Sequence, residues 1–423
     1  MKPHPASLRS PWYGRLSLQV LAGMILGVAA GLLFPHLGSA LKPLGEAFIA
    51  MVRMMIAPII FCTLVHGMAS MGDFRRLGRL GLKTALYFES VSNIALLLGL
   101  IAVNLFQPGV GFHGHPEPLV STTSAPFHPA SLLGMVREAV PDTLVGAFTS
   151  PNLLQVLLVA LIAALAIPRL PDGGRPILAA IGWANGLLFA MLGLIVRLAP
   201  VGVFGAMAFM AANHGTSGLL GLARLILCFY ATAFLFVVLV LGGILRLCGL
   251  RLIPFLSFLK EELLLVLGTS SSETAMPGVM EKLEQLGCRE STVGLVIPSG
   301  YSFNLDGTNL YMTMAVVFLA QATGTPLDLS QQLGLLLVAI ITSQGATGVA
   351  GSGLVVLAAT LEAFPSIPIA SLGLLVGIDH FMSICRAATN FIGNAVATVA
   401  ISRWEKEVDP KTLRKRLAAR ETA

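Results

Sequence analysis

The residues able to hold or move an ion lie inside apolar sequence. Asn304, Asp306, Gly307 and Thr308 interrupt a segment, roughly Val293–Ala320, that is long enough to cross a bilayer. A carboxylate at that depth costs roughly 3 kcal/mol on insertion scales. Gly307 eases local unwinding, and an unwound turn exposes carbonyls that need partners. Non-helical backbone at membrane depth survives only inside protein or beside a wet cavity. The break therefore reads as an ion or substrate site, against the plainer reading of a polar kink that only packs helices.

A second set lies nearer the C-terminus. Asp379, Ser383, Arg386, Asn390 and Asn394 recur at intervals of four, three, four and four, which places them along one helix face. An Arg in mid-span must face the bundle interior or water. Its planar fork matches a carboxylate bidentately. The stripe is thus either an anion site or a structural ion pair, of Arg386 with Asp379 or with Glu89.

The elements that position these residues follow from composition. The 423 residues are 55% hydrophobic and 11% charged, against about 25% charged in a soluble globular protein. The chain reads as an all-α polytopic membrane protein. The formal charge of +6 sits in the connections between spans, a positive-inside pattern that places both termini in the cytoplasm and leaves no patch for nucleic acid. The five cysteines form no Cys-x-x-Cys pair and read as buried thiols. His113, His115 and His128 have irregular spacing and no acid cluster beside them, so no metal site is expected there.

Spans are expected at roughly 16–34, 46–71, 82–106, 131–167, 177–212 and 219–247, with external links at 35–43, 107–129 and 213–218. After Arg251 the pattern changes. Pro254–Leu267 and Ala275–Leu286 flank the serine tip Ser270, Ser271 and Ser272, and neither piece can span alone. A re-entrant hairpin entering from the basic side fits. Leu329–Ser343 and Leu354–Ala363 flank the tip Gly345–Gly353 in the same way, with no Lys or Arg nearby, so that hairpin should enter from the other side. A last span, roughly Ile369–Trp404, leads to the basic tail Lys406–Arg420. Residues 1–15 form a cytoplasmic N-terminus, 16–250 the first six spans, 251–405 a core of hairpin, span, hairpin and span, and 406–423 the tail. Paired Gly-interrupted segments of opposite entry point to an inverted-repeat transporter.

On these residues the chain resembles the dicarboxylate/amino-acid:cation symporters, which have the glutamate-transporter fold. The motifs are Ser270–Ser272, Asn304–Thr308, Gly345–Gly353 and Asp379…Arg386…Asn390, in this order over roughly Arg15–Glu407. Gly294–Thr308 and Gly377–Ser383 look most like the bacterial C4-dicarboxylate transport branch. The resemblance implies eight transmembrane helices plus two re-entrant helical hairpins, a homotrimer in the bacterial inner membrane, and elevator-type movement of spans three and six with the core against a scaffold of spans one, two, four and five. It implies that Arg386 holds one substrate carboxylate. Ser270, Ser271, Ser272, Thr308, Asn390 and the second tip at Gly348, Val349 and Gly351 would hold the other. The position whose Asp binds an amino group in relatives carrying amino acids is Ser383, which argues for a plain diacid such as succinate, fumarate or malate over aspartate or glutamate.

Cation positions carried over from the family are Gly300, Asn304, Asn390 and Asn394 for one sodium, Ser302, Ser343, Gln344 and Ala346 for a second, and Asp306 with Ser92 for a third. Asn394 stands where sodium-driven members have Asp, and Phe88 and Val91 stand where they have Tyr and Thr. Fewer anionic ligands weaken a site for a hard cation. Proton coupling through Asp306, Glu89 or Asp379 becomes the expected choice. Glu89 is expected to be buried, or else paired with a Lys or Arg. Sodium is the only metal expected, and no cofactor. An intramembrane protease would need a His or Lys spaced to activate the tip serines, or paired catalytic aspartates, and the sequence carries neither. A gated channel is the other class, separated from a carrier by its single-channel current.

Overall fold

The computed structural model describes residues 16–70, 79–111, 140–149, 153–343 and 352–421, and the described residues are helical throughout, without a strand. The N-terminal half comprises α1 (Leu16–Leu33), α2 (Pro35–Ala40), α3 (Lys42–Arg53), α4 (Ile56–Ser70), α5 (Arg79–Phe106), α6 (Leu153–Ala166), α7 (Arg175–Val196) and α8 (Ala199–Leu235). A π-helical turn at Phe236–Leu241 leads into α9 (Gly242–Leu247). The C-terminal half comprises α10 (Leu252–Phe258), α11 (Lys260–Thr269), α12 (Met276–Leu286), α13 (Glu290–Phe303), α14 (Asp306–Ala322), α15 (Leu329–Ser343), α16 (Ser352–Glu362), α17 (Leu372–Val376), α18 (Asp379–Trp404) and α19 (Pro410–Glu421).

Among the described residues, five stretches are long and apolar enough to cross a membrane: Pro35–His66, Arg79–Phe106, Arg175–Val196, Gly215–Leu247 and Asp379–Trp404. Shorter apolar helices fill the space between them. Prolines set several of the breaks. A proline removes the bond to the carbonyl four residues earlier and clashes with it. Pro58 acts on Met54, and α3 gives way to α4 at Met54–Met55. Pro200 acts on Val196, where α7 ends, so the expected span 177–212 is two helices joined by a tight turn.

Two expected connections take another form. Residues 35–43 are not an extended link, because Pro35 and Pro43 both sit in the first turns of short helices, where a missing N–H costs nothing. Residues 213–218 hold no extended loop: α8 is two helices, Ala199–Asn213 and the helix running on from Gly215, which meet at a kink where Gly215 is non-helical at φ 57°, a conformation glycine adopts without strain. The C-terminal tail is helical from Pro410. Asp409 caps it, accepting from the amides of Lys411 and Thr412 at 2.8 and 2.9 Å, with Pro410 at the first helical position.

The tightest packing in the N-terminal half joins α1 to α8. Gly23 and Gly27 sit against the carbonyls of Pro200 and Phe204, so close that a Cβ at either would lie 2.5 Å from the oxygen, and Gly31 presses on the Ala208 carbonyl in the same way. Both sets recur every four residues, so a glycine ridge on α1 lies directly against the backbone of α8 along one seam. In a bilayer such packing supplies association that the hydrophobic effect cannot. In the C-terminal half, α14 is the central element: every residue from Asp306 to Ala320 is buried. It packs along α5, and α18 lies against α14, α13 and α11. Lys83 on α5 pairs with Glu405 and donates to the Trp404 carbonyl at 3.1 Å, tying one end of α5 to the end of α18.

Gly27→Ala therefore lowers the thermal unfolding midpoint of the detergent-solubilised protein, by the roughly 1–3 kcal/mol that overpacking costs. Gly294→Ala, where a Cβ meets nothing within 4 Å, leaves the midpoint unchanged or slightly raised.

Candidate functional site

The helix interruption anticipated in the motif lies between α13 and α14. Pro298 sits inside α13, and regular helix stops at Phe303. Asn304 and Leu305 are non-helical, and α14 restarts at Asp306. The restart leaves amides of its first turn without carbonyl partners, and no side chain of the same segment caps them. The acceptor comes from α18. Asn390 Oδ1 receives the amides of Gly307 at 2.8 Å and Thr308 at 3.3 Å, and Asn390 Nδ2 donates to Thr308 Oγ1 at 3.2 Å. A buried side chain 83 residues away from Gly307 in sequence thus does the work of a local cap.

One turn further along α18, Asn394 Oδ1 accepts from Asn304 Nδ2 at 3.1 Å, and Gly300 lies against the Asn394 carboxamide. Asn304 Nδ2 is also 3.4 Å from Asp306 Oδ2. Asn304, Asp306, Asn390 and Asn394 are all essentially excluded from solvent. Among the described residues, Asn304 Oδ1, Asp306 Oδ1 and Asn394 Nδ2 have no hydrogen-bond partner, nor has Ser92 Oγ on α5. A buried polar atom without a partner is costly. A proton on Asp306, or a cation shared by the oxygens, would remove that cost at the carboxylate.

At the other end of the stripe, Arg386 is 4% exposed. Its Nη1 contacts Asp379 Oδ1 at 3.1 Å, and its Cζ lies 4.4 Å from the Tyr311 ring centre. Tyr311 in turn places its hydroxyl 3.4 Å from the same Asp379 oxygen. Asp379 is in the first turn of α18, because the expected last span breaks at Gly377–Ile378. The helix N-terminus favours its negative charge. The ion pair is therefore with Asp379 and not with Glu89. A guanidinium carries five N–H donors, and this pairing engages one edge only. The first turn of α16 abuts the same guanidinium. A Cβ on Gly353 would collide with it.

The serine tip follows α11. Ser270 adopts a left-handed conformation at φ 54°, which ends the helix, and the Ser271 carbonyl accepts from Thr274 Oγ1 at 2.8 Å. Ser272 Oγ is buried, with no partner among the described residues. Ser383 is buried on α18, Ser302 half-buried on α13, and Ser343 buried at the end of α15, donating to the Ile340 carbonyl at 3.1 Å. Gln344, Ala346, Gly348, Val349 and Gly351 lie outside the described residues, as do the three histidines of 107–129.

Glu89 is a correction. It is exposed and accepts from Asn93 Nδ2 at 3.1 Å. The buried stripe of α5 passes through Phe88, Val91, Ser92, Ala95 and Gly99. Glu89 lies about 100° around the helix from Phe88 and falls outside it. Tyr311 and Gly353 were not singled out in the sequence, since a Tyr in an apolar helix and a Gly in a glycine-rich stretch carry no spacing signal. Tyr87, whose hydroxyl is buried with no hydrogen-bond partner among the described residues, was hidden in the same way.

The family model for sodium:dicarboxylate symporters matches residues 16–404. The chain belongs to this family. It is a transporter, not an enzyme. The chain is 52% identical to C4-dicarboxylate transport protein 4 of Bradyrhizobium diazoefficiens over 96% of its own length and 93% of that protein's. It is 49% identical to the C4-dicarboxylate transport protein of Paraburkholderia phymatum, over 97% of each chain, and to that of Caulobacter vibrioides, over 94% of this chain and 96% of the relative.

Asn390→Ala leaves two buried amides without an acceptor. The variant should unfold at a lower temperature, by roughly 1–3 kcal/mol per orphaned group, while Asn390→Asp, which keeps the acceptor, recovers part of the loss. Thermal unfolding monitored by tryptophan fluorescence checks both.

Proposed function

We propose that the chain is a secondary active symporter that imports C4-dicarboxylates such as succinate, fumarate and malate across the bacterial inner membrane. The observation that carries this reading is the buried Arg386, held through one edge by Asp379 and pressed by α16. A guanidinium paired in this way is kept at low cost inside the protein, and among the described residues its remaining N–H groups have no acceptor, which leaves donors for an incoming carboxylate. The relatives named as C4-dicarboxylate transport proteins support the substrate class. Ser270–Ser272, Thr308, Asn390 and the second tip are assigned to the other carboxylate.

Ser383 carries the discrimination against amino acids. A buried serine offers no charge to an ammonium group, so a sodium-coupled aspartate or glutamate symporter is the weaker reading. Asp306 is the assigned proton carrier, because its Oδ1 is buried without a partner and the neighbouring ligands are neutral amides. Glu89, being exposed, loses that assignment. A sodium ion at Gly300, Asn304, Asn390 and Asn394 is the alternative coupling device.

The reading extends to architecture. Helices α11 and α12, with 10 and 11 residues, and α15 and α16, with 15 and 11, are too short to cross a bilayer singly and are assigned to two re-entrant hairpins. The assembly is assigned as a homotrimer whose transport unit moves as an elevator against its scaffold. The apolar surface of α7, where Trp183 is 84% exposed between Gly182 and Gly186, is open to a neighbouring copy. Both termini are assigned to the cytoplasm.

Arg386→Ala should abolish succinate binding in proteoliposomes while the fold is retained, and Arg386→Lys should recover only part, since a point charge lacks the fork. Unchanged affinity in Arg386→Ala refutes the assignment. Ser383→Asp should weaken succinate uptake and admit aspartate in competition assays.

The coupling ion is read from initial succinate uptake against sodium concentration at fixed pH and potential. Proton coupling predicts uptake driven by an inward pH gradient without sodium. Asp306→Asn should impair that uptake more than exchange of internal for external substrate. A steep, saturable sodium requirement with no response to the pH gradient overturns it.

A further inference from the structure

A cavity of about 400 Å³ opens where α9, α10 and α19 meet, away from the substrate site. Three arginines from three elements line it: Arg246 at the end of α9, Arg251 just before α10, and Arg414 on α19. Its remaining wall is apolar, formed by Leu250, Pro254 and Leu417 around the Gly249 turn. No carboxylate lines it, and none of the three arginines is in an ion pair among the described residues. Arginines at the basic end of a bundle ordinarily fan out into water. These three converge, and Arg414 is fixed by an Nε donation to the Gly249 carbonyl at 2.6 Å, which orients the rest of its fork.

Three cations around one cavity repel each other unless an anion joins them. Guanidinium forks fit the paired oxygens of a phosphate. The source of that phosphate is decided by the neighbours. Leu247, next to Arg246, is 88% exposed, and Ile253, two residues after Arg251, is 80% exposed. Large apolar side chains so exposed beside the cavity mark the edge of the hydrocarbon layer, where acyl chains are close and water is scarce. A basic pocket at that depth suits a lipid headgroup better than a soluble ion.

We propose that this cavity binds the phosphodiester headgroup of an anionic phospholipid, gripped by Arg246, Arg251 and Arg414, with the acyl chains lying on Leu247 and Ile253. The bound lipid bridges α9 and α10 to α19. Helix α19 also reaches α12, where a Cβ on Gly287 would meet the Arg416 guanidinium. Occupancy therefore holds the C-terminal helix against the outer end of the first hairpin. The inference depends on the chain's place in a membrane and not on the identity of its substrate.

The test uses the full chain, purified in detergent and depleted of lipid. Its thermal unfolding midpoint is followed while phosphatidylglycerol, phosphatidylcholine or inorganic phosphate is added. Phosphatidylglycerol should raise the midpoint saturably, as any ligand selective for the native state does, and the other two should not. Arg251→Gln should raise the phosphatidylglycerol concentration needed about fivefold, and R246Q/R251Q about thirtyfold. Among the described residues neither side chain has an ion-pair or hydrogen-bond partner to lose. Arg169→Gln, at a basic position outside the cavity, should respond as the parent does. Identical lipid dependence in the parent and R246Q/R251Q overturns the proposal, as does an equal loss in Arg169→Gln, which would indicate diffuse surface charge. A shift produced equally by inorganic phosphate overturns the lipid assignment.

Discussion

Two backbone amides, those of Gly307 and Thr308, begin a helix in the middle of the protein with no carbonyl to bond. The C-terminal half is arranged around supplying their acceptor. Both residues are buried, and each orphaned donor would cost roughly 1–3 kcal/mol. The Asn390 carboxamide meets both amides and returns a donor to Thr308. That bond fixes the rotation and height of α18 against α14. Once α18 is fixed, Asn394 reaches Asn304 and Arg386 lands over Tyr311, because side chains three and four residues apart share one helix face.

The charges obey the same constraint. A lone buried guanidinium would be prohibitive, and Asp379 offsets it from the first turn of its own helix, where the N-terminal dipole already favours a carboxylate. Tyr311 stacks on the cation and its hydroxyl faces the same Asp379 oxygen. The pair is neutral as a unit, is engaged through one edge, and sits where α16 comes closest. The carboxylate at the break has no such counter-charge among the described residues. Asp306 has one oxygen near Asn304 and the other unpartnered. One end of the stripe thus holds a paired charge, and the other a buried carboxylate oxygen with no partner among the described residues.

Short-range chemistry carried much of the architecture in the open. The breaks at Met54 and Val196 follow from Pro58 and Pro200 through the bond each proline removes. The start of α19 follows from Asp409 and Pro410. Connections were legible less often. Residues 35–43 and 213–218 look like links because prolines, small and polar residues cluster there. One contains short helices that accept proline in their first turns, and the other is a kink at Gly215 where two helices meet.

By itself the sequence determined that the chain belongs in a membrane, that the Asn304–Thr308 motif interrupts a span, and that Asp379 to Asn394 share one face. Polar residues in an apolar background are unambiguous, since only a protein interior or a wet cavity tolerates them. Tertiary structure alone decided which carboxylate meets Arg386, that Asn390 caps α14, that Tyr311 and Gly353 border the guanidinium, and that Glu89 faces outward. The physical reason is the solvent. Lipid is as apolar as the core, so hydropathy periodicity cannot separate a lipid-facing position from a buried one. Phe88 and Glu89 sit side by side in the same apolar helix, and only the packing of α5 on α13 and α18, through Val296, Ala397 and Ile401, buries one and leaves the other exposed.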